Sequence, residues 1–185
     1  MLYTRKGDAG TTKDFKSGPG VRKSKSSCQT EALGASDELN SFLGIAKVKA
    51  AKTDWKLCGQ AFTKIISWIQ ECLFSIQAEL AGADKTVTDS KVKQMEKWID
   101  TAESEMPPIK TFFISGGTEL AALFDVCRTL ARKLERRVVA AVDSHDVKVD
   151  AVTLAFLNRL SSLLYALARL SNHKSGIKET PPTYK

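Results

Sequence analysis

The sequence predicts an all-α fold, a single bundle of five helices, and three observations carry that reading. Five segments repeat apolar residues at three- and four-residue intervals. No segment sustains the period-two alternation of a half-buried strand, and no Asn-Gly or Asp-Gly pair sits between β-branched runs. The links between helical segments are short and polar, as in bundles whose neighbouring helices run back and forth. A chain of 185 residues, 43% of them hydrophobic, suits one domain with a real core.

The elements follow in order. Residues 3–14, "YTRKGDAGTTKD", hold almost nothing that could be buried, so the chain opens as a frayed end or as a loop around something polar. Its apolar anchor is limited to Leu2 and Tyr3, and its order is expected to depend on a bound ligand. The first helix is read over 30–51, with Leu33, Leu39, Phe42, Leu43 and Ile45 at helical spacing. A stronger pattern over 55–81 places Phe62, Ile65, Ile66, Ile69, Leu73, Ile76 and Leu80 on the second. After a polar link, 91–106 is a shorter amphipathic helix bearing Val92, Met95, Trp98 and Ile99, stopped by Pro107 and Pro108. Long helices around 118–143 and 149–172 complete the bundle, and the tail from 174 to 185 reads as polar and loose. Several helices carry apolar residues on more than one side, which suits burial of a second face against another subunit.

Composition narrows the function. The formal charge is +7, from 28 Lys+Arg against 21 Asp+Glu, which suits an anionic ligand from a nucleotide to nucleic acid. The first 25 residues are strongly basic, with Asp8 and Asp14 as their acids. Cys28, Cys58, Cys72 and Cys127 form no C-x-x-C pair, and Cys58 and Cys72 sit in segments read as apolar helix, so free thiols in a reducing compartment are expected. His145 and His173 are far apart in polar stretches and do not make a metal site. No apolar run approaches the roughly 18 residues of a membrane span, and Met1 leads into no apolar signal segment. The expectation is a cytoplasmic protein with neither membrane nor nucleic acid as partner.

Several groups could carry chemistry. Turning about 100° per residue, Arg128, Arg132, Glu135 and Arg136 share one arc of their helix, with Val126, Cys127, Leu130 and Leu134 opposite. Such a face is either a solvated surface with i,i+4 pairs or a clamp for polyphosphate, for which the planar fork of arginine is suited. On the next helix Asn158, Ser162, Tyr165 and Arg169 form one stripe and Leu157, Leu160, Leu164 and Leu167 the packing side. Asn158 matters only if it faces the arginine helix. Asp37 and Glu38 read most simply as first-turn carboxylates with Ser36 as helix cap. Phe112 and Phe113 precede a Gly pair and a helix start, where core packing is the default. The opening stretch is no P-loop, because Gly7, Gly10 and Lys13 have the wrong spacing. Its Gly-rich backbone, threonines and Lys13 can still form an anion-binding concavity.

Four stretches taken together, "YTRKGDAGTT", "EALGASDELNSFLG", "FFISGGTELAALFDVCRTLARKLERR" and "FLNRLSSLLYALAR", resemble in this order the PduO-type ATP:cob(I)alamin adenosyltransferases, across residues 2–172. The resemblance implies a homotrimer of five-helix bundles with active sites between subunits. It implies a single domain over 1–185, divided into a nucleotide-binding loop (1–25), the bundle (26–173) and a flexible tail. The implied reaction transfers the 5′-deoxyadenosyl group of ATP to cob(I)alamin, with Mg²⁺ accompanying the nucleotide and triphosphate leaving. Carried over by motif position, the ATP contacts are Thr4, Arg5, Lys6, Gly7, Thr12, Lys13 and Lys25 of the loop. Arg132, Lys133, Leu134, Glu135, Arg136 and Asn158 are those of the helices. Asp37 and Arg128 match a pair that bridges near the corrinoid, and Phe112 matches the aromatic that keeps the lower ligand off cobalt. Arg128, Arg132 and Asp37 are thereby the implied catalytic residues. No metal ligand set can be named.

Four positions depart from the family's pattern. Ser115, Asp125, Lys133 and Ser162 stand where proline, histidine, arginine and aspartate are usual. Exchanging arginine for Lys133 keeps the charge and loses the bidentate geometry. A catalytically weak relative that binds ATP or corrinoid as carrier or sensor is the alternative reading, and a basic helical nucleic-acid binder a third. A corrinoid reductase and an adenosylcobalamin-dependent enzyme are the partners the resemblance suggests.

Overall fold

A computed structural model describes residues 3–15 and 17–184; Leu2, half of the expected N-terminal anchor, lies outside them. Five helices make up the body: α1 (Cys28–Ala50), α2 (Phe62–Leu80), α3 (Asp89–Ser104), α4 (Glu119–Asp143) and α5 (Ala151–Lys174). Helix α1 packs on α2 and α4, and α5 packs on α4 and α3. Aromatic side chains close the ring at its centre. Trp68 of α2 meets Trp98 of α3 edge-on at 4.9 Å and lies 6.0 Å from Phe156 of α5, while Phe62 of α2 meets Phe124 of α4 at 6.2 Å. Around them Leu39, Leu43, Ile65, Ile69, Leu134 and Leu160 have no exposed surface. Because α5 is long and apolar, its composition would allow a membrane span. Here its apolar residues are spent in the bundle core, and buried Arg169 and Asn172 share that interior.

Helix starts differ from the sequence reading where a side chain caps earlier or later than the apolar pattern begins. Helix α1 is capped by Ser27, whose Oγ accepts from the Thr30 amide at 3.3 Å. Ser36 is therefore not a cap: it is buried in the third turn, and Asp37 and Glu38 are mid-helix residues. Helix α2 begins at Phe62, seven residues after the expected start. The intervening residues form a hairpin, β3 (Lys56–Leu57) against β4 (Gln60–Ala61). Its two central residues, Cys58 and Gly59, have φ of 50° and 74°, the conformation of a two-residue turn that matches strand twist. Cys58 is thus exposed in a turn, not in an apolar helix.

A second short ladder joins β1 (Thr11–Thr12) to β2 (Lys23–Ser24) and closes the N-terminal stretch into a loop over the start of α1. Gly10, at φ 74°, lets the chain reverse so that its carbonyl accepts the Lys25 amide at 2.9 Å. The tail also differs from the loose end expected. Past α5 it folds back along the segment before α4, where the Ile114 amide donates to the Thr180 carbonyl at 2.9 Å. Arg169 and Asn172 both bond Glu179.

Candidate active site

The segment 112–118 is fixed from behind. Thr118 caps α4, its Oγ1 accepting from the Ala121 amide at 3.2 Å. The Asn172 side chain of α5 holds both sides of the glycine pair, accepting from the Thr118 amide and donating to the Gly116 carbonyl, each at 2.9 Å. Gly117 lies at φ 92°, and a Cβ there would overlap the Asn172 amide, so only glycine fits. This anchoring leaves Phe112 projecting outward, 75% exposed.

Phe112 stands at the mouth of a cavity of about 500 Å³ between that segment, α4 and α5, where Arg128, Arg132, Ser162 and Tyr165 also line the wall. Phe113, a candidate for the core, lines the same cavity and is half-buried. The floor is ionic. Asp125, 3% exposed, takes a bond from Arg169 Nη2 at 2.5 Å, and its other oxygen lies 3.5 Å from Arg128 Nε. The Tyr165 ring lies under both cations, 5.0 Å from the Arg169 guanidinium and 5.9 Å from that of Arg128. Burial pushes the Tyr165 phenol above its ordinary range, so it stays protonated.

The arc expected on α4 is partly redrawn. Arg132 and Arg136 are exposed, Glu135 is half-exposed, and Cys127 and Leu134 are buried; Val126, read as packing, is 40% exposed. Asn158 does face the arginine helix: its Nδ2 donates to Glu135 Oε1 at 3.0 Å. The run 132–136 points in three directions. Leu134 enters the core, and Lys133 leans across to α1, 2.5 Å from Glu38 Oε2. Arg132, Glu135 and Arg136 keep to the open face with Asn158. Asp37 is exposed on α1, and among the described residues the ion pair of Arg128 is with Asp125, not Asp37.

The loop residues gather elsewhere. Lys25 Nζ donates to the Gly7 carbonyl at 2.9 Å, and a Cβ on Gly7 would come within 3.0 Å of that amine. Arg22 binds Thr11 through Nε and Nη2 at 2.7 and 2.8 Å. Lys23 bonds Asp14 at 2.9 Å and Gln29 at 2.6 Å, which ties the loop to α1. With Ser17 as the larger cause and Lys23 as the second, the Asp14 carboxyl is held down at about 2. Thr12 and Lys13 line a separate concavity of about 480 Å³ beside Phe15 and Leu33. Thr4, Arg5 and Lys6 are exposed along the rim of the loop. Among the described residues no hydrogen bond or ion pair joins residues 4–13 or Lys25 to Arg132, Arg136 or Asn158. Within one chain the loop cations and the arginine face of α4 therefore lie apart.

Sequence reasoning missed the buried ionic chain of Glu179, Arg169, Asp125 and Arg128. The one available signal was Arg169 itself, four residues after Tyr165 on the polar stripe. Nothing in the pattern of the tail pointed to Glu179.

The family model for cobalamin adenosyltransferase matches residues 2–171. A corrinoid adenosyltransferase of Bacillus subtilis (strain 168) is 37% identical over 184 residues, covering 95% of this chain and 89% of that protein. The corrinoid adenosyltransferase PduO of Citrobacter freundii is 36% identical over 172 residues, covering 93% of this chain, which spans only 50% of that longer relative. Among solved structures, a variant of the PduO-type ATP:corrinoid adenosyltransferase from Lactobacillus reuteri, complexed with cobalamin and ATP, superposes with a TM-score of 0.86 at 27% identity, covering 99% of this chain and 97% of that one.

Proposed function

This chain belongs to the cobalamin adenosyltransferase family, and we propose that it transfers the 5′-deoxyadenosyl group of ATP to cob(I)alamin, giving adenosylcobalamin and triphosphate. The observation that carries the proposal is the cavity that gathers an outward aromatic, Phe112, with Arg128 and Arg132. The cobalt–C5′ bond forms as the C5′–oxygen bond breaks, and triphosphate leaves with the electron pair. Reduced cobalt is already a strong nucleophile, so no protein base is needed. The chain must align the reactants and stabilise a highly charged leaving group.

Each residue then has a task. Arg132 and Arg136 grip triphosphate oxygens with their bidentate forks. Glu135 and Asn158, bonded to each other, fix the helix face and meet the nucleoside end. Thr4, Arg5, Lys6, Gly7, Thr12, Lys13 and Lys25 enclose the phosphates from the loop side through N–H groups, hydroxyls and amines. Lys133, paired with Glu38, and Leu134, seated in the core, serve the ATP face by stiffening the helix that carries it. Phe112 covers the lower face of the corrin, excluding water and any lower ligand, since it offers no donor atom. Asp37 serves the bridge to Arg128 across a subunit boundary.

Mg²⁺ fits as a companion of the nucleotide. Among the described residues no three His, Cys, Asp or Glu side chains converge as a metal cage. A metal held mainly by phosphates needs at most one or two carboxylates, and Glu135 is the acid beside the arginines. When bound, it would offset charge on the leaving triphosphate. The two half-sites support a homotrimer whose loop from one subunit closes over the arginine face of the next. A corrinoid reductase would supply the electron, and an adenosylcobalamin-dependent enzyme would receive the product. Four free thiols suit the cytoplasm.

The test is anaerobic incubation with ATP, Mg²⁺ and chemically reduced cobalamin, followed by the adenosylcobalamin spectrum. Product formation is expected. Folded protein that binds both substrates without turnover would overturn the transferase reading in favour of a carrier.

A further inference from the structure

The geometry points to Glu179 in the C-terminal tail as a positioning residue for the corrinoid-facing cavity, acting through Arg169 and Asp125 on Arg128, and through the tail backbone on the segment that carries Phe112. The inference rests on the proposed transferase reading for its catalytic consequence, and on the structure alone for its mechanical one. The match to the family model ends at residue 171, so Glu179 lies beyond it. Yet the tail supplies a bond to the amide two residues after Phe112, from Ile114 to the Thr180 carbonyl at 2.9 Å.

The charges alternate along one line: Glu179, Arg169, Asp125, Arg128. Arg169 is 2% exposed and Asp125 is 3% exposed, so neither can exchange its partner for water. A buried guanidinium with a single carboxylate would draw that carboxylate wholly to itself. Glu179 forms an ion pair with one side of Arg169, and the second oxygen of Asp125 lies 3.5 Å from Arg128, at the cavity wall. The same Glu179 oxygen also accepts from Asn172 Nδ2 at 2.7 Å, and Asn172 holds Gly116 and Thr118. One carboxylate thus braces both the cation and the aromatic of the cavity from behind. Phe113 is the shared partition, because it also lines the small cavity of about 230 Å³ formed with Ile177, Lys178 and Glu179.

Glu179→Gln in the full chain tests this at two levels. Without any ligand, amide exchange at Ile114 and Thr118 should quicken about tenfold relative to wild type, with the amides of mid-α4 unchanged, because a charge-assisted bond is lost only at the brace. Unchanged exchange at both amides would overturn the mechanical claim, whatever the enzyme does. With ligands, KM for reduced cobalamin should rise about tenfold while KM for ATP stays within twofold, and cob(II)alamin with MgATP should retain its lower ligand more than in wild type. A purely structural role would lower stability and leave that split untouched, which would overturn the positioning role. If wild type itself makes no adenosylcobalamin, the transferase reading fails while the exchange result still decides the brace. Should Glu179→Gln not fold, Glu179→Asp retains the charge but retracts it by one methylene, and the same exchange and KM readouts apply.

Discussion

Phe112→Ala separates a corrin-facing aromatic from a core aromatic by arithmetic. Full burial of a phenylalanine side chain is worth about 1.5–3 kcal/mol. Phe112 is 75% exposed, so a quarter of that, roughly 0.4–0.8 kcal/mol, is at stake in folding. For a chain of this size about 1 kcal/mol moves Tm by about 2–4 °C, and the expected loss is roughly 1–3 °C. Phe124, with no exposed surface, supplies the contrast: Phe124→Ala should cost about 3–5 kcal/mol and lower Tm by roughly 6–20 °C. Phe113, half-buried on the partition, should fall between them. The functional arm uses cob(II)alamin with MgATP. Phe112→Ala should form markedly less of the species without a lower ligand, while its ATP affinity stays near wild type. A Phe112→Ala protein that melts as early as Phe124→Ala, and whose folded fraction still strips the lower ligand normally, would refute the placement of the corrin.

Three further outcomes follow from the same geometry. Arg132→Ala should leave the melt nearly unchanged, because the side chain is exposed, and should cost about 2–4 kcal/mol of transition-state stabilisation with ATP; full activity would remove the clamp. Mixing Arg132→Ala chains with chains lacking residues 1–14 should restore part of the activity, since each mutant keeps the half-site that the other lacks; verified mixed oligomers without rescue would place both half-sites in one chain. Burial pushes the Cys127 thiol up to about 12 and the Cys72 thiol to about 11. Both should therefore resist thiol reagents at pH 8 in the native protein while exposed Cys58 reacts at once. A native pKa above the unfolded one favours folding below the unfolded value, so this contribution should fade from about pH 9 upward as unfolded thiols ionise and native ones do not.

The bundle was legible because its apolar periodicity is a physical requirement of burial, and α3, α4 and α5 fall within two residues or so of the periodic segments. Starts were legible only where capping chemistry was read rightly. Ser27 and Ser36 are equally good caps by type, and only the position of the preceding ladder selects the first. The β3–β4 turn was hidden because Cys-Gly is an unusual pair for two positive φ angles. At the site, Arg132, Glu135 and Arg136 could be grouped from helical angles alone, whereas Lys133 and Leu134, adjacent in sequence, needed the packing of α1 to be set apart. Glu179 was invisible for a different reason: its partner lies ten residues back, beyond the end of a helix, and no periodicity spans that gap.

The departures from the family pattern are not scattered. Ser115, Asp125 and Ser162 all line the cavity at Phe112, and Lys133 is turned away from it to Glu38. The residues proposed to meet ATP, by contrast, keep the types usual in the motifs: Gly7, Lys25, Arg132, Glu135, Arg136 and Asn158. Ser162 and Asp125 fall on the same wall, and the Asp125 carboxylate is the one that binds Arg169 and approaches Arg128. Within one chain the carboxylate paired with Arg128 is on the floor, where it is shielded from water and dominated by protein partners. That arrangement requires a counter-charge for Arg169, or Asp125 would be consumed by it, and the tail provides one. On the proposed reading, Asp125 and the docked tail act together in holding Arg128.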